Sequence, residues 1–92
     1  GMFAPDDAMT MPDEEKSATQ RVVAMTEIGA LLRKRRKTLG FTQRQLADIC
    51  GVSERFVVEI ERGRDSAGIG RVLRVLSRLG LDVTIGLRGG PT

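Results

Sequence analysis

The side chains able to do chemistry in this 92-residue chain are an unusual selection: fifteen Lys and Arg, twelve Asp and Glu, a single Cys (Cys50) and no His. Without His, no Cys–His or Ser–His pair can activate a nucleophile, and a Cys/His zinc site lacks its ligands. No catalytic residue, metal site or cofactor is expected. One Cys excludes a disulfide framework within the chain and suits a reducing cytosol. What remains is non-covalent chemistry. Guanidinium forks, amides and hydroxyls gather in "TQRQLADICGVSERFVVEIERG", residues 42–63. They offer positive charge and hydrogen bonds to a partner. Charge placement indicates the class of partner. Residues 1–20 carry five acids against Lys16, net −4, so residues 21–92 carry +7. A basic body favours polyanions, nucleic acid first, although solubility alone accounts for the same charge equally well.

Those groups need elements to position them. The length allows one small domain with a marginal core, for which dimerisation is unsurprising. Residues 1–19 hold two Pro and five acids without helical period and read as a flexible acidic tail. "QRVVAM", residues 20–25, fits either a short strand or a helix lead-in. Thr26 is expected to cap a first helix to Leu39, with Ile28, Leu31, Leu32 and Leu39 roughly on one face and Gly40 as the stop. Thr42 with Gln45 makes a capping box for a second helix that buries Leu46, Ala47 and Ile49 and ends at Gly51. Ser53 caps a third helix, Glu54 suits its first turn, Val57 and Ile60 point inward, and Gly63 ends it. A fourth helix spans Gly68–Leu79, with Ile69, Val72, Leu73, Leu76 and Leu79 opposite Arg71, Arg74 and Arg78. The period then changes. Leu81, Val83, Ile85 and Leu87 alternate with polar or small residues, which predicts a half-buried strand over 81–88, before a frayed end at 89–92. No apolar run is long enough to span a membrane, and the acidic N-terminal region is unlike a signal peptide.

"TQRQLA", then "CGVS", then "VVEIERG" resembles the Cro/repressor-type (Xre-like) helix-turn-helix family over roughly residues 26–80. The resemblance implies an all-α, lambda-repressor-like bundle of about four helices (domain 20–80) that reads double-stranded DNA as a dimer. Beyond it, "RVLRVLSRLGLDVTIGL" looks like the HipB-type antitoxins. In that subgroup a C-terminal strand pairs across the dimer, a HipA-type serine/threonine kinase toxin is bound, and the protein represses its own operon in the bacterial cytoplasm, at the nucleoid.

The same resemblance assigns roles. The third helix would enter the major groove of a palindromic operator with Ser53, Glu54 and Arg55 at its leading end. Gln43 and Arg44 would contact DNA from the start of the second helix, and Thr42, Arg64 and Arg71 would meet phosphate. Arg55 is the best base reader, since its fork can pair guanine O6 and N7. Plain surface polarity is the alternative for Gln43, Arg44 and Arg55, and Ser53 is first of all a cap. Glu54 departs from the Gln common in the family. A carboxylate there is unfavourable near phosphate unless it accepts from cytosine or pairs with Arg44 or Arg55. Phe56 is expected to pack rather than touch a thymine methyl; Val58 fits either role. Arg36 is implied to pair with Glu61 across the first and third helices, a structural bond. The run Arg33–Lys37 wraps a whole turn, so at most two or three of its members could reach phosphate. Cys50 reads as a small buried hydrophobe. Leu81, Val83, Ile85 and Leu87 are the dimerisation residues. Three functions compete: a repressor that is a kinase toxin's antitoxin, a free-standing Xre-type regulator without a toxin, and a protein-interaction module on a helix-turn-helix scaffold. No membrane partner is expected.

Overall fold

Capping chemistry sets the starts of the first three helices in the computed structural model, which describes residues 19–88. The expected N-terminal tail, apart from residue 19, and the expected frayed end at 89–92 lie outside the described residues. Helix α2 (Gln43–Cys50) begins at a reciprocal box: Gln45 N–H donates to Thr42 Oγ1 at 3.0 Å, and Thr42 N–H donates to Gln45 Oε1 at 2.9 Å. Helix α3 (Glu54–Glu61) begins where Phe56 N–H donates to Ser53 Oγ at 3.0 Å. The turn between them needs Gly51 at φ 70, a left-handed conformation that costs glycine little.

Helix α1 (Met25–Leu39) starts earlier than its sequence suggests. Ala24, not Thr26, is the flanking residue, because the Glu27 carboxylate accepts from Val23 N–H at 2.6 Å and Ala24 N–H at 3.1 Å. A side chain from the first turn thus reaches back over the N–H groups just ahead of the helix, and Thr26 falls within that turn. Residues 20–23 have no regular structure. Helix α4 (Ile69–Arg78) is one residue shorter at each end than its periodicity predicts.

The core draws on all four helices: Leu32 from α1; Leu46, Ala47 and Cys50 from α2; Val57 and Ile60 from α3; Val72, Val75 and Leu76 from α4, with Leu79 just beyond it. Four residues expected inside are instead exposed: Leu39, Ile49, Ile69 and Leu73. In α4 the buried stripe centres on Val72, Val75, Leu76 and Leu79, and Val75 takes the place expected for Leu73. Periodicity gives the width of an apolar stripe, but the packing partner chooses its centre.

The expected strand at 81–88 is not present among the described residues. Leu81 is half-buried against the core and its N–H donates to the Leu76 carbonyl at 2.9 Å, so it finishes α4 rather than opening a strand. Beyond it, Val83, Ile85 and Leu87 are 56%, 94% and 90% exposed. A strand exists only with a ladder partner, and neither residues 20–23 nor any other described segment supplies one.

Helices α1 and α3 touch at Gly29, which is buried. A Cβ built there would collide with the Ile60 carbonyl and lie 2.7 Å from the Glu61 carbonyl oxygen. Backbone atoms cannot rotate away, so the two helices would have to separate. Gly29→Ala should therefore destabilise the fold by about 1–3 kcal/mol in spite of alanine's better helix propensity. Urea denaturation of the variant measures this, and an unchanged or raised midpoint would contradict it.

Candidate nucleic-acid interface

Helix α3 is held from below by one polar network. Arg36 Nε donates to Glu61 Oε2 at 2.6 Å, and Arg36 Nη2 donates to Glu61 Oε1 at 3.1 Å. The side chains are only 9% and 3% exposed. Arg36 Nη1 donates to the Phe41 carbonyl at 2.8 Å, and Gln43 Nε2 donates to Glu61 Oε1 at 3.1 Å. A two-pronged guanidinium–carboxylate bond thus joins the last turn of α1 to the end of α3 and fixes the start of α2. No buried side-chain nitrogen or oxygen among the described residues lacks a partner.

Two open grooves run along the flanks of α3. One, of about 290 Å³, is lined on the α3 side by Ser53, Arg55, Phe56 and Glu59 and across from it by Arg64 and Arg71. The other, of about 300 Å³, holds Arg33, Gln43, Val58 and Arg62 around the Arg36–Glu61 pair. Guanidiniums therefore bracket the exposed face of α3 on both sides. In the first groove Arg55 Nε donates to Glu59 Oε2 at 3.2 Å, while Arg64 Nη1 binds Glu59 Oε1 and Arg64 Nε donates to Ser66 Oγ at 2.8 Å. The hydrogen bond from Arg64, backed by Arg55, holds the Glu59 carboxyl below the usual range. The Arg71 guanidinium lies 5.9 Å from the centre of the Phe56 ring, a cation–π distance. Burial pushes the Cys50 thiol up, which makes it less nucleophilic.

Residues 32–85 match the helix-turn-helix family model. An uncharacterized HTH-type transcriptional regulator, y4mF, from Sinorhizobium fredii (strain NBRC 101917 / NGR234) is 42% identical over 66 residues, spanning 72% of this chain and 87% of its own. The chain belongs to the Xre-type helix-turn-helix family of transcriptional regulators. This is a family of DNA-binding proteins and not of enzymes. Among solved structures, a chain of the HipA-HipB-O2-O3 complex superposes with TM-score 0.69 at 21% identity, covering 76% of this chain and 99% of that one. A chain of the HipB-O4 20mer complex gives the same values. The restriction-modification controller protein C.AhdI from Aeromonas hydrophila gives TM-score 0.56 at 26% identity over 63% of this chain and 84% of its own. The HipB likeness, at that identity, is one of fold.

Within this helix-turn-helix unit, Ser53, Arg55, Arg64 and Arg71 come together in one groove, while Gln43 lies in the other. Thr42, Arg44 and Glu54 are exposed and line neither. Glu54 pairs with neither Arg44 nor Arg55; among the described residues Arg55 is bound to Glu59 instead. Phe56 packs against the core, and Val58 is half-buried at the edge of the second groove. Of the basic run, Arg33, Lys34 and Lys37 are exposed, Arg36 is buried, and Arg35 Nε donates to the Leu79 carbonyl at 2.8 Å. Sequence reasoning missed Glu59. Its position four residues after Arg55 is the spacing at which helical side chains meet, and was the available signal.

Glu61→Gln should leave the Arg36 guanidinium buried without its counter-charge and cost about 3–5 kcal/mol. The double replacement Arg36→Met with Glu61→Leu should cost much less, because no charge is then left unpaired. Chemical denaturation of both variants checks the ordering; a double variant as unstable as the single one would contradict it.

Proposed function

We propose that this chain is a dimeric, sequence-specific repressor that serves as the antitoxin of a HipA-type serine/threonine kinase toxin and represses its own operon in the bacterial cytoplasm. The observation that carries the DNA reading is the leading end of α3. Ser53, Glu54 and Arg55 are exposed there, the Arg55 side chain by 85%, and Ser53 and Arg55 line a groove that Arg64 and Arg71 face. In this reading α3 enters the major groove, and Arg55 pairs a guanine while Ser53 and Glu54 face neighbouring edges. Thr42, Gln43 and Arg44 meet the backbone at the start of α2. The Gln43 amide is held by Glu61, so the helix-terminal N–H groups beside it are what phosphate would find. Arg64 and Arg71 take phosphate on the far side of α3. Among the described residues no helix is long and apolar enough to cross a membrane, and nothing in this reading calls for one.

The dimer follows from the C-terminal segment. Val83, Ile85 and Leu87 are exposed apolar residues at alternating positions on a backbone without ladder partners among the described residues, which a second copy of the same segment would supply. Leu81 would serve as the anchor of that strand on its own core. Two-fold pairing would set the two copies of α3 about one DNA turn apart, ~34 Å, and let one dimer read both halves of a palindrome. The toxin partnership rests on the fold likeness to a chain of the HipA-HipB-O2-O3 complex. A free-standing regulator without a toxin is the second reading, supported by the relation to a protein named only as a transcriptional regulator. Affinity capture from the native cell separates the two: co-purification of a kinase supports the antitoxin, and its absence the free-standing regulator.

Duplex binding should weaken steeply with salt, because phosphate contacts release counterions. Arg55→Ala should cost about 1–3 kcal/mol and relax preference at one base pair, whereas Arg64→Ala should weaken all duplexes alike. Fluorescence anisotropy reads both effects, and no binding to any duplex at low salt would sink the DNA reading.

A chain ending at Asp82, which keeps Leu81 on the core, should remain folded but sediment as a monomer and bind its operator much more weakly. Val83→Pro should act in the same direction by removing a ladder donor. A truncated protein that sediments as a dimer and binds normally would end this account of the C-terminal segment.

A further inference from the structure

The groove beside α3 contains one group that runs against its charge. Arg55, Arg64 and Arg71 face it, yet Glu59, with its side chain 26% exposed, sits among them and binds two of the three. Its spacing from Arg55 is the ordinary one for a helix-stabilising pair, but a solvent-screened pair contributes little to stability, which is little reason for an acid on a surface proposed to meet phosphate. A carboxylate here repels the backbone of any nucleic acid that approaches.

The atoms used suggest what it gains. Arg55 is held through its inner Nε alone, so among the described residues both terminal nitrogens are left for a partner. Those are the donors of a bidentate bond to guanine O6 and N7. Arg64 is held at two points, by Glu59 through Nη1 and by Ser66 through Nε. A guanidinium already neutralised by a carboxylate releases fewer counterions when it meets a phosphate, so indiscriminate contacts gain less. A base edge that matches the terminal fork of Arg55 leaves the bond to Glu59 intact and finds the side chain already oriented.

We infer that Glu59 is a specificity-determining residue: it orients Arg55 for a base edge and damps the grip of Arg55 and Arg64 on phosphates of the wrong sequence. The inference rests on the DNA reading above. It concerns the ratio between specific and non-specific binding, which no loss of fold would move in the same way.

The test compares the intact protein and Glu59→Gln on two duplexes of equal length, one recovered by the protein itself from a random-sequence pool and one shuffled. Anisotropy is followed from low to moderate salt. Glu59→Gln should bind the shuffled duplex more tightly, with a salt slope steeper by about 1 for each guanidinium set free. Its affinity for the recovered duplex should rise less, or fall, so that the ratio drops several-fold. Glu59→Asp, which keeps the charge, should stay close to the intact protein on the shuffled duplex. Equal shifts on both duplexes, no shift on either, or a Glu59→Asp variant that behaves like Glu59→Gln would each overturn the inference while leaving the DNA reading in place. If the intact protein binds neither duplex, the DNA reading fails first and takes this inference with it. Thermal melting of the variants excludes a folding defect as the source of any loss.

Discussion

The buried bond between Arg36 and Glu61 is the constraint on which the rest of this small fold depends. Taking two charges out of water is expensive, and a pair of well-packed hydrophobic side chains is often at least as stable in their place. The return here is geometry. One guanidinium reaches the carboxylate of α3 and the carbonyl of Phe41, and the same carboxylate reaches the amide of Gln43. Three helices and the loop between the first two are thereby set in one register. Gly29 serves the same contact from the backbone side, letting α1 approach the end of α3 more closely than any side chain would allow.

With its far end pinned, α3 can present its leading end without support from a large core. The two glutamates near its end divide the work. Glu61 is almost fully buried and works on the protein's own frame, while Glu59, two residues earlier and on another side of the helix, is partly open and works on the arginines of the outer groove. The chemistry is the same in both cases, a carboxylate accepting from guanidinium. Burial separates the roles: the dry pair holds shape, and the wet pair keeps its arginines within reach of solvent.

The C-terminal segment poses the opposite problem. Leu81 packs on the core, but beyond it Val83, Ile85 and Leu87 stay mostly exposed. A fold of this size has little core to spare for them. In the proposed dimer, joining two copies would cover these side chains and set the spacing of the two α3 helices in a single step.

How much of this was legible in the sequence depends on the range of the interaction. The caps of α2 and α3 involve residues three apart, and Thr42, Gln45 and Ser53 announce them without reference to anything distant. The helix-turn-helix unit and the partnership of Arg36 with Glu61 were readable too, through motifs rather than through energetics. The choice of Val75 over Leu73, the exposure of Leu39, Ile49 and Ile69, and the packing of Leu81 against the core were decided by tertiary packing. An amphipathic pattern is satisfied by several rotations of a helix, and only the shape of the neighbouring helices selects one. Glu59 lies between these cases. Its spacing from Arg55 was visible, but its bond to Arg64 depends on how the chain turns after α3. The alternation from Leu81 to Leu87 states a preference for extended backbone, yet a strand is a property of two segments, and hydrogen bonds across a ladder cannot be made by one.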